Sequence, residues 1–340
     1  MESQRPLADL TTFGLPAAAE HFVSCATRED VQEALAWQRV QGCPLHVLGG
    51  GSNVLLTGDL DGLVLRLGIG GVEELGREGD EVLVRVGAGV VWHDFVMETL
   101  SRGWYGLENL SLIPGSVGAS PMQNIGAYGV EVEERFHALE AVEVSTGAVH
   151  TFSHADCRFG YRESAFKRGL KGQFVITHVT FRLSTTPELR LDYGAIRGEL
   201  DRAGVETPTP QTVSEAVIRI RQSKLPDPAV IGNAGSFFKN PVLDQAAFDR
   251  LLAAHPDVPN YSAPYGVKVA AGWLIDRAGW KGHDRKTHGV HDRQALVLVH
   301  HGGATGAELV QLSRDIQADV AAKFGVDLER EVNVIPLPES

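Results

Sequence analysis

The stretch that most restricts how this chain can fold is "SLIPGSVGASPMQNIGAYG" at 111–129, where Gly115, Gly118, Gly126 and Gly129 stand among small and amide side chains. It has little apolar side-chain surface of its own to bury, so it must run as a loop held by elements elsewhere in the chain. Glycine permits close backbone approach and positive φ, and successive N–H groups in such a loop can form a concave anion site suited to a diphosphate. A second glycine stretch, "LGGGSN" at 48–53, follows a short apolar strand. Neither fits the dinucleotide fingerprint G-x-G-x-x-G: Val54 stands where the first would need glycine, and "GAGVVW" from 87 fails at Trp92. A phosphate loop of the G-x-x-x-x-G-K-[ST] type is also absent. Two separated glycine loops could clasp one cofactor, or be two tight turns, and the residues alone leave both readings open.

At 340 residues the chain exceeds one ordinary core, so two or three domains are expected. "TREDVQEALAWQRVQG" opens with Thr27 as a cap, has Asp30 three residues on, spaces Val31, Ala34 and Leu35 helically and stops at Gly42, which predicts a helix. "PLHVLGGGSNVLL" and "DGLVLRL" add strands, making a small α/β unit. From about 71 the texture turns to strands: Val82, Val84 and Val86 alternate, "HDFVMETLSRG" makes a short helix, "LEAVEVSTGAVHTF" a hairpin around Ser145-Thr146-Gly147, and "FVITHVTFRL" a half-buried strand. The Pro- and Thr-rich "AGVETPTPQTV" places the last boundary near 205. Beyond it come helices near 211–223 and 243–254, the strand "QALVLVH" and a long helix striped by Leu309, Leu312, Ile316 and Val320. The expected segments are 1–70, 71–204 and 205–340.

Lys plus Arg number 31 against 43 Asp plus Glu, a net charge of −12, and no basic cluster is long enough to track a phosphate backbone, so nucleic acid is excluded as a partner. Cys25, Cys43 and Cys157 form no C-x-x-C pair, which argues against a disulfide framework and a thiolate zinc site. The start, "MESQRPLADLTTFG", lacks a signal-peptide core, and no run of 18 apolar residues occurs. A cytoplasmic, non-inserting monomer is expected. His288 and His291 form H-x-x-H beside Gly289 with no assigned acidic partner, and no metal site is assigned.

Four further blocks carry candidate chemistry. "GNAGSFFKNP" at 232–241 sets Ser236 between a small-residue turn and two phenylalanines. "SFFK" has the S-x-x-K form, but no S-D-N, K-T-G or G-x-S-x-G accompanies it, so an acylating serine is disfavoured and the hydroxyl taken by itself reads as a turn or capping residue. "CRFGYRESAF" at 157–166 carries Tyr161 and Arg162, the latter either in a surface ion pair or as a fork for a carboxylate. "RQSKLPDP" offers Lys224 and "LEREV" offers Glu331, each a solvated charge or a site group.

Taken in order, "TTFG", "LGGGSN", "IPGSVGASPMQNIGAYG", "CRFGYRES", "KLPDP", "GNAGSFFKNP", "AAGWLIDRAG" and "LEREV" resemble the UDP-N-acetylenolpyruvoylglucosamine reductase (UDP-N-acetylmuramate dehydrogenase) family of bacterial peptidoglycan synthesis, over nearly the whole chain. The resemblance implies an α+β, three-domain flavoprotein: a vanillyl-alcohol oxidase-type FAD-binding region of two α+β subdomains, then a C-terminal α+β substrate-binding domain. "LRLDYGAIRGEL" resembles the family's first type, whose tyrosine loop, here Tyr193, folds over substrate. The implied cofactor is non-covalent FAD, held by Gly49, Gly50, Gly51, Ser52, Asn53, Pro114, Gly115, Ser116, Gly118, Ala119, Gln123, Asn124, Gly126, Ala127 and Tyr128. NADPH is the implied co-substrate and UDP-N-acetylenolpyruvoylglucosamine the implied substrate. Tyr161, Tyr193, Lys224, Asn240 and Gln294 match positions contacting substrate or nicotinamide phosphate.

The implied catalytic residues are Arg162, Ser236 and Glu331. Hydride passes from flavin N5 to C3 of the enolpyruvyl group, Arg162 stabilises negative charge at C2 and the carboxylate, and Glu331 helps polarise or protonate the intermediate. Ser236 then gives a proton to C2, because an enolate is a strong enough base to take one from a well-placed hydroxyl. "TTFG" replaces the family's more usual N-T-F-G, and Asp292-Arg293 beside Gln294 has no reading.

Overall fold

A computed structural model describes residues 1–336, which divide into two compact units. The first comprises Met1–Arg5, Ala19–Gly51 and Leu60–Ser223; the second comprises Pro6–Ala18, Ser52–Asp59 and the chain from Lys224 onward.

In the first unit, Ala18–Cys25, Leu60–Leu67 and Leu45–Leu48 lie parallel, with Glu2–Pro6 on the far edge. The central strand reads as a nearly continuous apolar run because parallel strands are covered on both faces. The predicted helix spans Arg28–Gln41 with its capping box at Thr27 and Asp30 and a left-handed stop at Gly42 (φ 63°). Its stripe of Val31, Ala34 and Leu35 packs on Leu63, Leu65 and Cys25.

A five-stranded sheet follows in the order Val149–Ser153, Phe136–Glu143, Phe174–Ser184, Glu81–Gly87, Val72–Glu78, every pairing antiparallel. Val82, Val84 and Val86 all point inward, as alternation requires, against the helix Trp92–Ser101. Trp92 is fully buried and donates Nε1–H to the Leu110 carbonyl at 2.9 Å, so its one polar atom is satisfied. The expected hairpin is present, turning at Gly147 (φ 79°).

One boundary differs from expectation. The helix Pro210–Lys224, expected to open the third segment, buries Val213, Ala216, Val217 and Ile220 against Ile196 and Leu200 of the helix Gly194–Arg202. Its apolar face is covered by the first unit, so the division falls after Ser223, and both sheet-bearing segments belong to one unit.

The second unit holds two three-stranded antiparallel sheets, Gly232–Ser236 with Val297–His300 and His288–Val290, and Val242–Leu243 with Gly266–Val269 and Asn260–Ala263. Asn333–Ile335 pairs parallel with Val54–Leu56, which brings a piece of the early chain into this unit. The helix Gly306–Phe324 carries a capping box at Thr305 and Glu308 and stops at Gly325 (φ 66°). Leu309, Leu312, Ile316 and Val320 form the expected stripe and share a core with Phe237, Phe238 and Leu274. Among the described residues, no helix is long and apolar enough to cross a membrane.

Candidate active site

The two glycine loops of the first unit meet. A Cβ at Gly49 would lie 2.7 Å from Ser116 Oγ, and one at Gly50 would lie 3.0 Å from Gly115 Cα. At Gly50 the approach is backbone to backbone and leaves a side chain little room, and Gly51 (φ 62°) and Gly115 (φ 108°) also adopt positive φ, which favours glycine. Gly118 is constrained differently: a Cβ there would lie 2.5 Å from the Ala88 Cβ, so its role is packing. Val117 and Gly118 donate their N–H groups to the Val90 and Ala88 carbonyls, both at 2.9 Å, and are thereby withdrawn from any anion.

Ser116 Oγ is buried and has no hydrogen-bond partner. An unmade bond of that kind costs about 1–3 kcal/mol, and a polar oxygen of a nucleotide laid across the junction would satisfy it. The glycine cradle and the orphaned hydroxyl therefore fit a dinucleotide. Pro114 and Ala119 are exposed along the run and Gln123 is half-buried. Ser52 and Asn53 fall in the second unit, where Asn53 Nδ2 donates to the Glu331 carbonyl at 3.3 Å.

The far half of the run forms the seat of Arg162. Asn124 is fully buried with a left-handed backbone (φ 42°). Its NH2 group donates to Glu131 (3.1 Å), Glu133 (2.8 Å) and the Gly160 carbonyl (3.1 Å), and its Oδ1 accepts from Glu133 N–H at 3.1 Å. That side chain is committed to bracing the loop. Arg162 Nη1 donates to the Asn124 carbonyl at 3.2 Å and Nη2 to the Gly126 carbonyl, with Glu131 Oε1 3.5 Å away. A Cβ at Gly126 would lie 2.9 Å from Arg162 Nη1, so the glycine makes room for the guanidinium. Arg162 is itself left-handed (φ 55°), and its Cζ lies 5.0 Å from the centre of the Tyr161 ring. Ala127 pairs with Val130 in a short hairpin beyond it. The Tyr128 ring meets that of exposed Tyr193 edge-on, centroids 5.3 Å apart.

In the second unit, the small residues before Ser236 have separate reasons. A Cβ at Gly232 would lie 2.4 Å from the Phe13 carbonyl oxygen. Asn233 Oδ1 accepts from Gly235 N–H at 2.9 Å and Gly235 is left-handed (φ 67°), which bulges the strand just before the serine. Phe237 N–H then donates to the Leu296 carbonyl at 2.7 Å and its own carbonyl accepts from Glu331 N–H at 2.8 Å. Lys239 N–H donates to the Glu329 carbonyl at 2.9 Å, and Phe238 stands opposite Arg330. Ser236 and Glu331 are thus carried on adjoining backbone segments, anchored by two fully buried phenylalanines.

Lys239 is buried and reaches Glu329 Oε1 at 2.6 Å, which accounts for the lysine of the S-x-x-K pattern without making it a base for Ser236. Asn240 Oδ1 accepts from Ala271 N–H at 2.9 Å, and Gln294 Oε1 from Leu296 N–H at 3.3 Å, so both side chains are oriented by backbone. Lys224 is exposed at the start of this unit's main segment.

Sequence reading passed over Arg221 and weighed Lys239 only as the lysine of the S-x-x-K pattern. Arg221 sits at the end of a helix where a basic residue is unremarked, and its significance depends on what it touches. The signal for Lys239 was its place directly after two phenylalanines, which puts an ammonium next to core.

Residues 19–153 match the model of an FAD binding domain, and residues 227–335 match that of the UDP-N-acetylenolpyruvoylglucosamine reductase C-terminal domain. With the cradle around Ser116, the first match defines an FAD-dependent oxidoreductase. The chain is 52% identical over 327 residues to a UDP-N-acetylenolpyruvoylglucosamine reductase of Chromobacterium violaceum, covering 96% of each. It is 54% identical over 330 residues to one of Burkholderia cenocepacia, covering 96% of this chain and 94% of the relative. A solved UDP-N-acetylenolpyruvylglucosamine reductase from Thermus caldophilus superposes with a TM-score of 0.66 at 26% identity, over 97% of both chains. The chain belongs to the UDP-N-acetylenolpyruvoylglucosamine reductase family.

Proposed function

We propose that this chain reduces the enolpyruvyl ether of UDP-N-acetylenolpyruvoylglucosamine to UDP-N-acetylmuramate, with NADPH as the source of hydride. The family membership supports the overall reaction, and the placement of Arg162 on the same glycine run as the cofactor cradle is the observation that carries the site assignment. FAD, when bound, would supply a two-electron relay between NADPH and the substrate double bond. Gly49, Gly50, Gly115 and Ser116 hold its nucleotide portion, with Gly51, Ser52, Asn53 and the rest of the 114–128 run contributing backbone and polar contacts.

Arg162 binds the substrate carboxylate. A guanidinium cannot lose its proton and presents a rigid fork, so it stabilises the negative charge that builds at C2 and the carboxylate as C3 receives hydride. Pinning by two backbone carbonyls lets it do so without reorganising. Ser236 donates its hydroxyl proton to C2, completing addition of hydride and proton across the double bond, and solvent then restores the hydroxyl. Glu331 polarises the enol-like intermediate. Tyr161, Tyr193, Lys224, Asn240 and Gln294 bind substrate or the nicotinamide phosphate.

Anaerobic mixing tests this reading directly. NADPH should bleach the yellow protein, and the enolpyruvyl nucleotide sugar should restore the colour at a rate matching turnover. Bleaching by NADPH with no return of colour would refute the substrate assignment.

A further inference from the structure

His288 and His300 stand opposite each other where His288–Val290 pairs antiparallel with Val297–His300. Opposed residues place their side chains on one face of a sheet with Cβ atoms about 5 Å apart, so the two imidazoles are neighbours. On its other side His300 is opposed by Gly232, which adds no side chain to that face.

Each ring is held from its Nδ1 side. His300 Nδ1 lies 3.0 Å from the Phe13 carbonyl oxygen, which can only accept, so Nδ1 carries the proton and Nε2 of the neutral ring carries a lone pair. His288 Nδ1 lies 3.1 Å from the Thr287 hydroxyl, which can accept in the same way. Nε2 of both rings is buried and has no hydrogen-bond partner. Such an unmade bond costs free energy, and here two occur on one face of one strand pair. A ring fixed by an oxygen at one nitrogen and presenting the other is how metal-binding histidines are oriented. Burial also favours the neutral form of His288, the form that ligates, with the Glu308 carboxylate opposing and Arg285 reinforcing that shift.

The H-x-x-H spacing does not describe this pair. His291 lies three residues on in extended chain, which points it to the other face, and its Nδ1 already accepts from Arg293 N–H at 3.1 Å. The neighbour of His288 comes from across the sheet instead. Among the described residues no three His, Cys, Asp or Glu side chains come together around a metal position, so the protein offers two ligands and water brought in with the ion completes the shell.

We propose that His288 and His300 chelate one divalent ion of the kind that prefers imidazole, Zn²⁺, Ni²⁺ or Cu²⁺, through their Nε2 atoms. The ion ties the two strands together. Because Val297–His300 also pairs with Gly232–Ser236, it braces the sheet that carries Ser236.

The test uses tag-free holoenzyme, treated with a chelator and then titrated with Ni²⁺ by calorimetry, beside its His288→Asn, His300→Asn and His301→Asn variants. Asparagine at 300 keeps a donor for the Phe13 carbonyl, and exposed His301 is the control. The wild type should bind one ion per chain, and saturation should raise its thermal midpoint. His288→Asn and His300→Asn should each weaken binding at least tenfold and remove the thermal shift, whereas His301→Asn should match the wild type. If either variant does not fold, the wild type loaded with Cu²⁺ decides the matter, since its electron paramagnetic resonance spectrum should show splitting by two imidazole nitrogens. The proposal is wrong if the wild type shows no saturable binding, which would leave water as the partner of both nitrogens. It is also wrong if either His288→Asn or His300→Asn binds as the wild type does, if only one nitrogen couples to the copper, or if His301→Asn loses as much, since the ion then sits on the surface.

Discussion

The two units hold their reactive groups by opposite means. In the first, Arg162 is gripped through its side chain, by the Asn124 and Gly126 carbonyls and the nearby Glu131, on a loop that contributes almost no apolar surface. In the second, Ser236 is placed through its backbone, by a bulged strand running into the buried Phe237 and Phe238. A guanidinium on a long flexible stem needs its head fixed, because the task proposed for it is electrostatic and any reorganisation lowers its value. A serine side chain has one rotatable bond to its oxygen, so fixing the strand nearly fixes the hydroxyl. Substitutions should therefore damage the two units differently.

The largest effect is expected at Ser236. Ser236→Ala should slow reoxidation of reduced flavin by substrate about 10²- to 10⁴-fold, the usual worth of a positioned proton donor, while reduction by NADPH stays near normal in stopped-flow. Unchanged reoxidation would remove the hydroxyl from the mechanism.

Arg162→Lys comes next. An ammonium can satisfy one loop carbonyl but cannot reproduce the fork, and a loss of about 10²- to 10³-fold in the same half-reaction is expected. Near-normal turnover would mean that the side-chain grip is structural only, which would erase the contrast between the units.

Gly50→Ala should act on the cofactor and spare both reactive groups. Its new methyl would meet Gly115 backbone atoms at 3.0–3.2 Å, where no flexible side chain can yield. Overpacking of this kind costs about 1–3 kcal/mol, so FAD retention should fall about tenfold or more as read from the absorbance of the purified protein. Full retention would show that the two loops can part without loosening the ligand.

The smallest effect concerns pH and spans both units. Burial lowers the values of His93 and His178 in the first and of His288 and His291 in the second from the ordinary 6.5. All four are favoured neutral in the folded chain, whereas the unfolded chain takes up protons as pH drops past 6.5. Their contribution to stability is complete above that pH and is lost as pH falls through the depressed folded values. Thermal midpoints should accordingly decline between pH 7.5 and 5.5, and a flat profile would contradict the burial-based shifts.

Local patterns were legible in the sequence because they depend on neighbours along the chain. The Thr27–Asp30 capping box, the inward Val82, Val84 and Val86 and the stripe on Gly306–Phe324 all follow from periodicity and cap chemistry. The eight ordered blocks likewise pointed to the family. The boundary near 205 was misplaced because Pro and Thr richness marks a turn but does not say which unit covers the helix that follows. Asn124 was expected among the cofactor residues by its place in the glycine run, yet its side chain is taken up by Glu131, Glu133 and Gly160. Nothing in a single sequence distinguishes an amide that braces a loop from one that meets a ligand.

From the amino-acid sequence alone came the elements, the glycine loops and the roster of reactive side chains, since each is set by residue chemistry at short range. Tertiary structure alone decided that Gly50 abuts Gly115, that Arg221 joins Leu112 to Tyr128, and that Glu331 N–H reaches the Phe237 carbonyl. Those pairings link residues from 65 to 109 positions apart, and only the packing of cores in between brings them within hydrogen-bonding or van der Waals reach.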